Sequence, residues 1–182
     1  MKVLCIQGAL LQNHAITELE PSDFEGMLAL NNAHATETSL LDQSSLAALI
    51  TIAFHARGVD GGATALLIAL DQDAQYDNVN FRWFKQRYKG RSFKNFVYID
   101  RIIVSGTAQG QGIARELYED LFVAARHAGH RRIVCEVNLD PPNLVSDVFH
   151  AAMGFVEIGQ AVLYEGRKTV RYLERTLAEL PS

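Results

Sequence analysis

Residues 96–129 read FVYIDRIIVSGTAQGQGIARELYEDLFVAARHAG, and a change of pattern inside this stretch decides the fold class. Up to Ser105 the run is apolar and β-branched, so it predicts a strand with Tyr98, Asp100, Ile102 and Val104 on one face and Ile99, Arg101 and Ile103 on the other. From Ile113 the period changes. Ile113, Leu117, Leu121 and Ala125 recur at helical spacing, Arg115, Glu116, Glu119 and Asp120 are expected in solvent, and Gly129 stops the helix. The loop between them, SGTAQGQG, is rich in glycine. Glycines let a backbone approach a ligand closely, and a following helix offers unpaired N–H groups at the positive end of its dipole. That arrangement suits a pyrophosphate. A tight strand-to-helix turn would also need glycine, and a lone GxG does not separate the two.

Downstream, RRIVCEV predicts a strand, NLVSDVFHAAMG a helix, and FVEIGQAVLY and KTVRYLERTL two further strands joined at Glu165-Gly166. In that helix Val145, Val148, Phe149, Ala152 and Met153 form an apolar stripe, while Asn143, Asp147 and His150 at i, i+4 and i+7 form a polar one. Upstream, HAITELE predicts a short strand, and PSDFEGMLALNNAH a helix capped by Ser22 or Asp23. DQSSLAALITIAFHA predicts a second helix, and ATALLIALDQD a buried strand. The polar, aromatic-studded segment between Asp71 and Phe96 is too long for a turn and is a lid candidate. The class is mixed α/β (α+β).

The 182 residues, 48% hydrophobic, suit one domain spanning 1–182 with a single core. No apolar run reaches the length of a membrane span and the N-terminus lacks a signal-peptide pattern, so the cytoplasm is the expected location, with no membrane partner. Cys5 and Cys135 are far apart without CxxC spacing, which fits a reducing compartment and buried thiols. A net charge of -4 argues against a nucleic-acid partner, which would require a basic face. Asp71, Asp73 and Asp77 lack the glycine and terminal glutamate of a calcium loop, so no metal is expected. The glycine loop has no lysine and hydroxyl pair of a Walker A motif, and Arg115 occupies the third glycine position of the dinucleotide fingerprint.

With those excluded, the second half of the chain resembles the GNAT superfamily of acetyl-CoA-dependent N-acetyltransferases. The signature [QR]-x-x-G-x-[GA] is met by Gln109, Gly112 and Ala114, with Gly110 after the first position and the strand segment Ile102-Ile103-Val104 at the family's spacing. A second pattern, N-x-x-[AS]-x-x-[LF]-Y-x-x-x-G-F, lands on Asn143, Ser146, Phe149, Gly154 and Phe155, with His150 where many members have tyrosine. The segments DQDAQYD, RWF, DRI and EVNLDPPN also resemble a bacterial subgroup of that superfamily, which brings no acceptor with it. The resemblance implies a central mixed, mostly antiparallel twisted sheet flanked by helices. Its expected order is strand, two helices, three strands, helix, strand, helix and two strands. It implies that acetyl-CoA is the acyl donor. Backbone groups of Ile102, Ile103 and Val104 would bind the pantetheine arm, the amides of Gln109, Gly110, Gln111, Gly112, Ile113 and Ala114 the pyrophosphate, and Asn143 the cofactor arm. A homodimer is compatible with the family.

Acetyl transfer to an amine requires a base for the amine proton and an acid for the departing thiolate, with no enzyme nucleophile. Glu136 is the first base candidate because several family members place a glutamate there; Asp100 and Tyr98 are rivals. A solvated strand-end carboxylate at Glu136 and a salt bridge at Asp100 are the competing readings. His150 takes the general-acid position of the family's tyrosine, with Asp147 expected to hydrogen-bond it and raise its pKa; an exposed histidine paired to Asp147 is the alternative. Glu37, Asp42, Asp71, Asp73 and Asp77 suggest an acidic cleft wall, and Tyr76, Phe81, Trp83, Phe84 and Tyr88 either line it or anchor the segment to the core. The expected acceptor is a small amine or amino-acid-like molecule. A catalytically weak acyl-CoA-binding sensor, and a nucleotide-binding α/β domain unrelated to acyl transfer, are the alternatives of another class.

Overall fold

The computed structural model describes residues 14–36, 38–91 and 95–178. Seven strands form one sheet: β1 (Ile16–Glu18), β2 (His55–Val59), β3 (Ala65–Asp71), β4 (Val97–Val104), β5 (Arg132–Asp140), β6 (Val156–Leu163) and β7 (Lys168–Thr176), in the spatial order β1-β2-β3-β4-β5-β7-β6. Every neighbouring pair is antiparallel except β4 and β5, which run parallel. The helices are α1 (Phe24–Ala33), α2 (Gln43–Thr51), α3 (Val79–Arg87), α4 (Ile113–His127) and α5 (Leu144–Ala152). None is long and apolar enough to cross a membrane.

Strand β3 shows why the sheet is covered on both sides. Its residues alternate between two cores: Leu66, Ile68 and Leu70 face α1, α2 and α3, while Ala65, Leu67 and Ala69 face α4. Each side chain of this strand from Ala65 to Leu70 is at most 1% exposed.

Three sequence expectations are corrected. Helix α2, capped by Asp42 accepting from the Ser45 N–H at 2.7 Å, ends at Thr51 instead of running to Ala56. Phe54 N–H then bonds Ala69 C=O, and His55 opens β2. The segment after Asp71 is no lid over its whole length, because α3 adds a fifth helix between β3 and β4. Phe81 and Phe84 on α3 are fully buried against Phe96 and Tyr98, and Trp83 stacks on Tyr172 at 3.9 Å. Trp83 fits because β6 carries Gly159 beneath it; a Cβ there would stand 2.8 Å from the indole. Finally, β4 does not alternate cleanly. Its register against β3 slips between Ile99 and Arg101, leaving Asp100 as an extra residue. After that bulge the faces exchange: Tyr98 and Ile103 share one core, while Val97, Ile99, Ile102 and Val104 lie on the other.

Candidate active site

The site begins where two strands part. Parallel β4 and β5 pair only at Val97 with Ile133 and Tyr98 with Val134. Beyond those residues β4 remains bonded to β3 and β5 to β7, so the backbone edges that face one another across the fork have no strand between them. A polar cleft of about 180 Å3 opens there, reached by β4, β5, α5 and the β6–β7 hairpin. An extended ligand can enter such a fork and take backbone hydrogen bonds as a missing strand would.

At the outer end of β4 the chain turns through Gly106–Ala108 into α4. Gly110 and Gly112 have φ of 77° and 89°, the left-handed region, and a Cβ on either would meet nothing within 4 Å. Gly112 is the N-cap of a 15-residue helix whose first intrahelical bond runs from Glu116 N–H to Gly112 C=O. The amides of the first turn therefore lack helical partners, and the open space over the two glycines can admit an anionic group.

Two acidic groups stand on the floor of the cleft. Glu136 on β5 is held at one oxygen only: Asn80 Nδ2 donates to Oε1 at 2.7 Å and the Tyr98 hydroxyl at 3.1 Å. The residue keeps some exposure, but its Oε2 is buried and has no hydrogen-bond partner among the described residues. Burial disfavours the charged form, nearby Asp100 adds to this, and the Tyr98 and Asn80 hydrogen bonds and Lys168 oppose it, leaving the carboxyl pushed up to about 7. Asp100 is the opposite case. Tyr76 donates its hydroxyl to Oδ1 at 2.6 Å and Arg101 its Nε to Oδ2 at 2.8 Å, both acid and guanidinium side chains being at most 4% exposed. Arg101 in turn donates through Nη1 to Asn31. Asp100 is thus a structural ion pair, the alternative weighed for it from sequence, and its oxygens are occupied.

Helix α5 is turned differently from the sequence expectation. Val145 and Val148 are 80% and 71% exposed, whereas His150 is 4% and Met153 3%. The polar edge packs inward and most of the apolar stripe meets solvent, because Met153 and Phe155 seat the helix end beside α4. Asn143 is the N-cap, its Oδ1 accepting from Ser146 N–H at 3.1 Å, and it lines the cleft. Asp147 does not bond His150; its oxygen lies 3.6 Å from Arg171 Nε. His150 instead places Nδ1 2.7 Å from the Ser146 carbonyl and Nε2 2.7 Å from the Tyr118 hydroxyl. Burial holds its pKa below the ordinary histidine value, so the expected upward shift is also corrected.

Cys135 lines the cleft, but burial raises its thiol well above the ordinary range, which removes it as a nucleophile near neutral pH. The acidic wall is not where the sequence suggested. Asp42 caps α2, Asp71 accepts from Asp73 N–H, Asp77 pairs with Arg82, and Glu37 lies outside the described residues. Of the five aromatic residues expected at the cleft, Tyr76 lines it, while Phe81, Trp83, Phe84 and Tyr88 are anchors to the core. Asn80, Lys168 and Tyr118 are among the cleft residues that escaped the sequence reading. Asn80 sits at the start of an unforeseen helix, Lys168 at a hairpin end, and Tyr118 one place beyond the apolar position Leu117, where a wider helical stripe would have included it.

Comparison with known proteins bears on this geometry. Residues 79–155 match the model of the acetyltransferase (GNAT) family. No curated protein is detectably similar in sequence. Among solved structures, Ard1 from Thermoplasma volcanium superposes with a TM-score of 0.68 at 16% identity, covering 91% of this chain and 98% of that one. The ribosomal-protein-S18-alanine N-acetyltransferase from Escherichia coli gives 0.63 at 16% identity, covering 93% and 97%. YncA from Salmonella typhimurium, solved with its cofactor acetyl-CoA, gives 0.65 at 19% identity, covering 94% and 98%. These likenesses establish the shared fold, and the segment that matches the acetyltransferase (GNAT) family, residues 79–155, contains the forked strands, the glycine loop and α5.

Proposed function

We propose that the chain moves an acetyl group from acetyl-CoA to a primary amine by direct attack in a ternary complex, with Glu136 as general base. The observation that carries this reading is the buried, unpartnered Oε2 of Glu136 at the floor of the fork, on a carboxyl pushed up to about 7. A base poised near the working pH combines a usable deprotonated fraction with enough proton affinity to act.

The residues present fit the donor. The bare edge of β4 at Ile102, Ile103 and Val104 would bond the pantetheine amides, and Asn143 would contact the same arm. The amides from Gln109 to Ala114, including those of Gly110, Gln111, Gly112 and Ile113, would cradle the pyrophosphate over the open space above the glycines. Acetyl-CoA supplies the activated carbonyl and the thiol leaving group. Glu136 Oε2 takes a proton from the amine, directly or through one water. The N–C bond forms as the C–S bond breaks, and the sulfur keeps that electron pair and receives a proton.

The acceptor is a small amine or amino-acid-like molecule. A cleft of about 180 Å3 has room for such a group beside the thioester, and Lys168, which shares the cleft with Glu136, suits an acceptor that carries an acidic function. Thiol release from acetyl-CoA, measured across a panel of amines and amino acids, tests the reading. Saturable turnover with at least one amine is expected. Tight coenzyme A binding with no turnover on any amine would instead mark an acyl-CoA-binding module.

A further inference from the structure

The corner of the cleft where α4 meets α5 contains a hydrogen-bonded chain that the reaction above leaves without a task. It runs from Tyr118 through His150 to Ser146. Proton positions along it follow from chemistry. A backbone carbonyl only accepts, so His150 Nδ1, 2.7 Å from Ser146 C=O, carries the ring proton. In the neutral ring Nε2 is then a bare acceptor, and the partner 2.7 Å away, Tyr118, must donate its O–H. His150 therefore has no proton to offer the cleft: its one N–H is fixed on the helix backbone and its other nitrogen is covered by the phenol. Burial keeps the ring neutral, and Asp147, the carboxylate nearest in sequence, is engaged by Arg171.

Beside the buried thiol of Cys135, the proton donor in this corner is the Tyr118 phenol. Its side chain has no solvent exposure as a residue, yet it borders the cleft together with Cys135, Asn143 and Ser146. Phe122, Phe149, His150 and Phe155 surround the ring edge-on at centroid distances of 5.1 to 5.9 Å, so its position is fixed by packing on two helices. Burial also pushes the phenol pKa upward, so Tyr118 enters every catalytic cycle protonated. It rises from α4, the helix whose first turn would hold the pyrophosphate, toward the fork that would take the arm ending in the sulfur.

We infer that Tyr118 is the proton donor to the departing thiolate, and that His150 is a positioning residue which holds the phenol through Nε2. This rests on the acetyl-transfer reading above. As the C–S bond breaks its electron pair passes to sulfur. The phenol O–H turns about its C–O bond from Nε2 to the sulfur and transfers its proton, forming S–H. The phenolate regains a proton from water once the thiol has left. His150 acts only by accepting from that hydroxyl between cycles.

Three variants test the assignment under single-turnover conditions with acetyl-CoA and an accepted amine. Tyr118→Phe is expected to bind coenzyme A as wild type does and to lower the transfer rate by roughly 10²-fold, the usual scale of general acid catalysis. His150→Phe should lower it less, and Tyr118→Phe/His150→Phe should be no slower than Tyr118→Phe alone, because both act through one proton. Fluorinated tyrosines placed at position 118 alone should change the rate in step with phenol acidity, a response that packing cannot produce. A folded Tyr118→Phe enzyme at near-wild-type rate overturns the proposal, as does a rate indifferent to phenol acidity, which remains readable if Tyr118→Phe does not fold. A wild-type protein that transfers acetyl to no amine would instead remove the underlying acetyl-transfer reading.

Discussion

Asn80 and Glu136, 56 positions apart in the chain, are joined by a 2.7 Å hydrogen bond in which the amide Nδ2 donates to Oε1. The amide is itself oriented, because Tyr172 donates its hydroxyl to Asn80 Oδ1 at 3.1 Å. The result is a carboxylate with one oxygen anchored from α3 and β4 and the other buried without a hydrogen-bond partner among the described residues. Orientation of this kind reduces the number of poses in which a proton can be taken, which is how a positioned base gains over one in solution.

The first consequence is kinetic. Glu136→Gln preserves size and much of the hydrogen bonding but cannot accept a proton, so kcat should fall by about 10²-fold or more with coenzyme A affinity retained. In the wild type the base works only when deprotonated. With a carboxyl near 7, kcat/KM should rise as pH increases through that value, and this acidic limb should vanish in the variant. An acceptor of low amine pKa keeps the substrate's own titration out of the window.

The same shift has a consequence for stability, of opposite sign to the usual carboxylate. Glu136 moves from 4.5 in the unfolded reference to about 7 in the fold, so between those values the folded state binds more protons and stability falls as pH rises. Ionising this group should cost on the order of 3 kcal/mol well above pH 7. Glu136→Gln lacks that loss, so the wild-type minus variant difference in urea unfolding free energy should become more negative between pH 5 and about 8.

Asp100 should behave as architecture. Removing its carboxylate leaves the Arg101 guanidinium in a site where both side chains are at most 4% exposed. Asp100→Ala should therefore destabilise the protein by about 3 kcal/mol or more, read as a lower denaturant midpoint at unchanged slope. Residual activity should scale with the folded fraction.

Asp147→Asn separates the sequence expectation from the structure. If Asp147 tuned His150, neutralising it would change the rate and its pH profile. In the structure it lies against Arg171 on partly exposed side chains, 3.6 Å apart. Transfer rate and profile should be those of the wild type, and the stability cost should stay within about 1 kcal/mol.

These contrasts show what the linear sequence carried. The strand, glycine loop and α4 were legible because period 2, glycine and period 3.6 follow one another without interruption in one stretch. The orientation of α5 was not. Its valines suggest a buried stripe, but the seat of the helix is set by Met153, Phe155 and the Tyr118 side chain of α4, contacts that no local pattern encodes. The bulge at Asp100 was equally hidden, since a single extra residue appears only against the register of β3. Glu136 was found as a candidate, yet its competence as a base depends on Asn80 and Tyr98, which the fold brings in from elsewhere.

The glycine loop gives the most direct test of the donor site. Gly112 combines a φ of 89° with empty space where a Cβ would stand, so two effects of an acidic substitution can be told apart. The first is backbone strain, because an L side chain disfavours that region; aspartate tolerates left-handed conformations better than most, and the cost should be about 1 kcal/mol. The second is electrostatic. At a helix N-terminus the new carboxylate would itself interact favourably with the first-turn amides and so occupy the place proposed for the pyrophosphate. Gly112→Asp should therefore stay folded, with its loss of coenzyme A affinity far larger than its loss of stability. Gly112→Ala carries comparable strain without the charge and serves as the control. Titration of both variants with coenzyme A, beside their thermal unfolding, resolves the two effects. If Gly112→Asp binds coenzyme A as the wild type does, the amides from Gln109 to Ala114 do not hold the pyrophosphate, and the anion must lie elsewhere along the fork.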